Sequence, residues 1–524
     1  MRLYTLLLCF LFGGVCLAQQ ATSVDKDALR QALPAPKLEL SLWSITSNLT
    51  SDVNPAEIPA RISALRKRLN GTYQDAGILL EIYDLQSKLG DADDNLLRRA
   101  ADLARARTAK SPRDAQAWLH LGEAYAGLQR YSEAESAIRR AIRLNPRSWK
   151  AWLKLGEVLQ WQAFHVVAGA SDVFTRSAEQ KEGSPTPEQL QKASRSLRRM
   201  AELMTRADEC INRAASLAPR EPKIYSTRLG LHLFGTFFTA ALIMRPDNEI
   251  PQIFDLLTPE MRDDLTKLES LQPDNPTTQA MRVFFMMFKH LFSSGEQGLD
   301  WEQLSPQARA DYQKSVTNLE RISRSADRRK AAWTLRHLAS AHFFVQQFRE
   351  LGIADLRRAI NMAPQEMENY EMLAVYLAVM DRKEDAIAEC ERWLKVKDNV
   401  RAHVILSTLL YEKGQVDEAK EHARAALRLA PRDMDANLLL AAYLLKEGED
   451  LAQVQRLLDT IASQMQESIP KEKRVHYLMQ RGVLLALQDN LAGARWAIAR
   501  ARELQPDLEQ AETLWKLLNP EKSS

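Results

Sequence analysis

Cysteine is scarce in this chain, and the shortage removes one class of protein at once. Four stand in 524 residues, and two of them, Cys9 and Cys16, fall within the first 18. The remaining pair, Cys210 and Cys390, cannot make a disulfide framework. Both lie inside helical runs, ECINRAA and ECERWLK, where cysteine packs as a small hydrophobe. One-sided charge is missing too: 71 basic residues against 68 acidic ones leave +3, so no overall field draws the chain to nucleic acid or to an anionic membrane. The apolar stretches at 229–244 and 281–292 are shorter than the roughly 20 residues that a bilayer-spanning helix needs. A helix apolar on every side is more often buried in protein, so mutual packing of these two is expected. Catalytic signatures are absent as well. No G-x-S-x-G, glycine-rich phosphate loop, H-E-x-x-H or paired C-x-x-C occurs. The nine histidines are scattered, and the nearest in sequence, His337 and His342, do not share a helix face. No metal, no cofactor and no catalysis are expected.

What the chain does have is periodicity. In residues 115–148, Trp118, Leu121, Gly122 and Tyr125 fall at i, i+3, i+4 and i+7, which makes one stripe of a helix. Gly122 leaves room for a neighbour, Ala134, Ile138 and Ala141 form the answering stripe, Gln129 and Arg130 mark the turn, and Pro146 ends the second helix. Thirty-four residues further on stand Trp152, Leu155 and Gly156. The pattern resembles the tetratricopeptide repeat (TPR). The resemblance implies an all-α solenoid of helix-turn-helix units wound as a right-handed superhelix, and a protein partner rather than a reaction.

Taken in order, residues 1–18 read as a secretory signal peptide: Arg2, an apolar run from Leu3 to Val15, and a small-residue end at Ala18. An acylated Cys16 is the competing reading. Residues 19–58 read as an extended arm with one apolar piece, LELSLW, at 38–43. A first array spans 59–221, and its second repeat is split. Ala207, Ile211, Ala214 and Pro219 take the places of a second helix 39 residues late, after a polar stretch at 177–189. Residues 222–332 form a divergent apolar helical region. A second array covers 333–508, and 509–524 supplies a capping helix and tail.

By family resemblance, positions 2, 5, 9, 12 and 13 of each repeat line the concave face. In the first array this selects Lys150, Leu119, Leu153, Glu123, Glu157 and Trp161 as a protein-binding surface. The three apolar side chains are expected to be exposed there unless a partner, the LELSLW piece or the insert after 162 covers them. A basic face of Arg195, Arg198, Arg199 and Arg206 reads either as a docking surface for an acidic partner or as a solvated helix side. The whole suggests an exported scaffold of a bacterial cell envelope that binds protein segments. The alternative is a membrane-associated assembly factor that uses the apolar insert or a lipid anchor.

Overall fold

A computed structural model describes residues 24–34, 57–71, 74–88, 92–179, 187–243, 258–291, 299–465, 469, 471–506 and 508–519. The signal-peptide and LELSLW readings lie outside these residues. Among the described residues the elements are helices, apart from one parallel β-bridge between Leu299 and Val345. The protein is an all-α TPR-type solenoid.

Helix α1 is Lys26–Ala32, and it corrects the reading of 19–58 as wholly extended. Asp25 caps it by accepting from the Asp27 and Ala28 backbone N–H groups. There follow α2 (Ile58–Arg68), α3 (Ala76–Lys88), α4 (Asp94–Lys110), α5 (Ala115–Gly127), α6 (Tyr131–Leu144), α7 (Trp149–Glu179), α8 (Pro187–Leu217) and α9 (Pro222–Ile243). Next come α10 (Pro259–Leu271), α11 (Pro276–Leu291), α12 (Pro306–Ser323), α13 (Arg328–Phe344), α14 (Arg349–Met362) and α15 (Met367–Val379). The last are α16 (Lys383–Val396), α17 (Val400–Glu412), α18 (Val416–Leu429), α19 (Met434–Glu447), α20 (Leu451–Ala462), α21 (Lys471–Leu487), α22 (Leu491–Leu504) and α23 (Glu509–Leu518). The described residues within 41–373 form one compact unit, and those within 1–40 and 374–524 form another.

Three devices repeat, and each follows from residue chemistry. The first is close approach. A Cβ on Gly122 would stand 2.4 Å from Ile138 Cγ1, and one on Gly156 would stand 2.6 Å from Ile211 Cγ1, so α5 meets α6 as α7 meets α8. At Ser407 the same place carries a hydroxyl, which donates to the Ala419 carbonyl at 2.8 Å. The second is the turn between paired helices. Gln129, Asp381, Gly414, Gly448 and Asp489 adopt positive φ, and the following amide donates back to Tyr125, Leu377, Leu410, Leu444 or Leu485 at 2.8–2.9 Å. That bond closes a Schellman motif and satisfies a carbonyl the helix leaves open. The third spans repeats. Trp118 and Trp152 donate their indole N–H to the Pro112 and Pro146 carbonyls, Tyr225 its hydroxyl to that of Pro219 and Asn437 its amide to that of Pro431, at 2.9–3.2 Å and always six residues back.

The split repeat is a long hairpin, since α7 and α8 are both 31 residues. Of the polar stretch 177–189, the two ends belong to these helices and residues 180–186 lie outside the described set. In the divergent region, Thr258 caps α10 with Pro259 as its first residue. Tyr225, Leu229 and Leu233 of α9 share one apolar cluster with Met261, Leu265 and Leu268 of α10 and with Met281 and Phe284 of α11. The described parts of the two apolar stretches therefore belong to one cluster in which α10 packs on both α9 and α11. The outer ends of both stretches lie outside the described side chains.

Candidate protein-binding face

Within residues 41–373 the first helices α3, α5, α7 and α9 touch in succession, which leaves a continuous wall of first-helix residues. The six residues selected from the sequence divide on it. Leu119 and Leu153 are buried, at 2% and 5% exposure, as members of the apolar core running from Ile58 to Leu231. The expectation that they are exposed is corrected: successive first helices pack closely enough to take position 5 into the core. Lys150 is exposed, its ammonium 5.6 Å from the Trp149 ring centroid. Trp161 is 52% exposed.

Glu123 and Glu157 hold the same repeat position but differ in chemistry. Lys154 donates to Glu157 Oε2 at 2.5 Å, and Thr227 donates to its Oε1 at 3.4 Å. Burial pushes the Glu157 carboxyl up, but the Lys154 and Lys223 ammonium groups with these hydrogen bonds outweigh it and hold the group below the usual carboxylate range. Glu157 in turn raises Lys154. Glu123 faces the same Lys154 without a hydrogen bond from it. Burial raises the Glu123 carboxyl, Lys154 and Lys150 oppose, and Glu157 and Asp84 add to the rise. The recurring glutamates thus form a polar lining in which one acid is fully matched and the other is not.

One turn beyond Glu157 the helix turns aromatic. Trp161 and Phe164, the latter 44% exposed, meet edge to face with centroids 5.8 Å apart. His165 stands 6.0 Å from the Phe164 ring and 5.1 Å from that of Tyr131, with His165 Nε2 3.3 Å from the Tyr131 hydroxyl. Phe164, His165 and Tyr131 were not selected from the sequence, although Trp161, Phe164 and His165 fall at i, i+3 and i+4. Behind this ridge Glu135 accepts from Arg206 at 2.6 Å, Arg139 at 2.9 Å and Gln162 at 3.2 Å. Arg199 pairs with Glu202 and Arg195 with Gln191. The arginines of α8 are mostly engaged by their own fold, which favours the solvated-face reading of that helix.

In the divergent region three carboxylates enter the core. Asp264, Glu269 and Asp311 are buried. Arg228 donates to Asp264 at 2.8 Å, Arg282 to Glu269 at 2.6 Å, Lys314 to Glu269 at 2.7 Å and Arg262 to Asp311 at 3.3 Å. The crossing of α9, α10, α11 and α12 supplies these buried charges with partners, which is what lets them stay buried. In the other unit, His403 and His422 approach with their Nδ1 atoms 2.8 Å apart, and His403 Nε2 lies 2.8 Å from Asp398 Oδ1. Nothing in sequence spacing marks this pair, 19 residues apart. No group of three or more potential metal ligands occurs among the described residues, and none of their helices is long and apolar enough to cross a membrane.

With this geometry in place, the tetratricopeptide repeat family matches residues 115–158, and a second tetratricopeptide repeat pattern matches residues 406–462. The chain carries tetratricopeptide repeats. Its repeats give it the build of a protein–protein interaction scaffold, since TPR domains generally bind protein partners. No curated protein sequence matches it. Among solved structures, yeast Tom70 is similar over 89% of this chain and 93% of its own, at 12% identity and a TM-score of 0.40. YrrB, described as a TPR protein with an unusual peptide-binding site, is similar over 38% of this chain and 95% of its own, at 18% identity and 0.28. PilF of Pseudomonas aeruginosa is similar over 39% and 86%, at 16% identity and 0.31. Likeness at these values does not extend to what those proteins bind.

Proposed function

We propose that this TPR protein is an exported, non-catalytic scaffold of the cell envelope that holds a polypeptide segment against the Trp161–Phe164 ridge of its first array. The observation that carries the binding site is the ridge itself: two large rings, each about half exposed and packed edge to face, stand one helical turn from a half-buried pair of glutamates. Paired exposed aromatics are the usual anchors of an interface, while Glu123 and Lys150 flank the path and orient what lies along it. Export rests on residues 1–18, and the absence of catalysis rests on the missing sequence motifs. Nucleic acid is not expected as a partner.

A photo-crosslinking residue at position 164 in the exported protein, compared with one at the exposed Arg143 on α6, tests the site. A discrete adduct at 164 that Trp161→Ala abolishes, with melting unchanged, supports the reading. Equal crosslinking at both positions removes it. Recovery of the chain from the cytoplasm with residues 1–18 still attached removes the export part.

A further inference from the structure

The second unit contains a docked segment that is not a repeat. Helix α1 packs on α19, α21 and α23, the last first helices and the capping helix. Its contacts divide into two kinds. Leu29 and Leu33, four apart, are buried at 0% and 3% exposure. Lys26 and Arg30, also four apart, stand at the carboxy-terminal ends of two successive first helices, and Arg30 also pairs with Asp27 of its own helix at 2.8 Å. Lys26 Nζ donates to the carbonyl of Leu487, the last residue of α21, at 3.1 Å and pairs with Asp489 at 2.6 Å. The Arg30 guanidinium lies against Gly448, the left-handed cap of α19, where a Cβ would stand 2.9 Å from Arg30 Cζ. A helix carboxy terminus carries partial negative charge and open carbonyls, so a cation at each is complementary.

Seven residues are too few for a helix to persist alone in water. α1 is therefore helical because it is docked, as a bound peptide is.

We propose that this face of the carboxy-terminal array is a binding site for amphipathic basic helical segments of the pattern Lys-x-x-Leu-Arg-x-x-Leu, and that α1 occupies it in cis and keeps other segments out. The partner is a protein segment presenting two cations one turn apart beside two leucines one turn apart. Binding requires α1 to leave, so the apparent affinity of an external segment is reduced by the fraction of chains in which the site is open. The site is distinct from the Trp161 ridge and stands or falls apart from it.

The probe is a fluorescent synthetic peptide of residues 24–34, titrated by anisotropy against the full chain and against the full chain with Leu29→Asp and Leu33→Asp. The double variant should bind the peptide at least about tenfold more tightly than the wild type does. Adding Asp489→Lys, at a position 82% exposed, should weaken that binding, and a peptide carrying the two aspartates should bind neither chain. A second preparation, with a protease site placed in residues 35–40 and the freed segment dialysed away, opens the site without altering it and should bind the peptide as the double variant does. Equal binding to wild type and variant overturns the proposal, as does no binding to either opened chain. Loss of helicity and of cooperative melting in both opened chains makes α1 an integral part of the fold and overturns it too.

Discussion

Gly122 sets how closely α5 and α6 pack, and alanine at that position measures the constraint. The added methyl carbon would stand 2.4 Å from Ile138 Cγ1 and 3.2 Å from the Ala134 carbonyl oxygen. Neither neighbour can swing aside, because one is a carbon next to a β-branch and the other is backbone. Overpacking of this kind costs about 1–3 kcal/mol, and alanine recovers about 1 kcal/mol of helix propensity over glycine. The expected net loss is about 1 kcal/mol. Gly230 of α9 is the control, since it is exposed and nothing lies within 4 Å of a Cβ there. Gly230→Ala should therefore stabilise, by up to about 1 kcal/mol. Urea midpoints read by far-UV circular dichroism, with tryptophan fluorescence to follow the Trp118 and Trp152 repeats, give both values. In an Ile138→Ala background the loss from Gly122→Ala should disappear, because the clashing carbon is gone. Stabilisation by Gly122→Ala equal to that by Gly230→Ala refutes the claim that close approach fixes this repeat.

Lys154→Met should destabilise by about 1–3 kcal/mol near neutral pH by leaving the Glu157 carboxylate half-buried without its hydrogen-bonded cation, and the deficit should depend on pH. In the wild type the folded Glu157 pKa is depressed, so its contribution is present above the ordinary carboxylate pKa and is lost as pH falls through the folded value. Without Lys154 the burial of Glu157 is opposed only by Lys223 and Thr227, so the deficit of the variant relative to wild type should shrink on acidification; melting curves of both proteins across the acid range show whether it does. Cys210 and Cys390 are both buried, with burial pushing the Cys210 thiol up to about 11. Disulfide-exchange reagents should therefore titrate them only after denaturation, and rapid native labelling contradicts the repeat register. Limited proteolysis should cut first within residues 180–186, whose composition is polar with Gly, Ser and Pro; first cuts inside 115–148 would count against the reading. Trp161→Ala should change stability by less than about 0.5 kcal/mol, as is usual for exposed positions, and a sharp fall in melting temperature would assign that ring to the core.

The repeat itself was readable because its determinants are local. Trp118, Gly122 and Ile138 lie within one helix pair, and the spacing that sets Gly156 against Ile211 across the insertion uses the same residue types. The turns were less so. Gln129, Asp381 and Asp489 adopt the left-handed conformation that glycine usually marks, and only Gly414 and Gly448 announced it. Exposure at the candidate face was misjudged because a repeat position says which side of a helix a residue occupies, not how near the next first helix comes. Leu119 and Leu153 are covered by that neighbour, whereas Trp161 escapes. The buried pairing of Glu269 with Arg282 and the approach of His403 to His422 join residues whose separations have no periodic meaning. Helix α1 was hidden because its helicity depends on helices about 400 residues or more away in the chain.

The bond from Lys26 to Leu487 joins residues 461 apart. At roughly 5–20 residues per second, α1 is made about 20–90 seconds before the helices it packs on. Its two leucines remain uncovered for that interval, and a chain cut short before α21 never covers them. Docking of α1 is thus a late event that requires the helices from α19 to α23 to be present, and products cut short before α21 should be recognisable by a protease-sensitive α1.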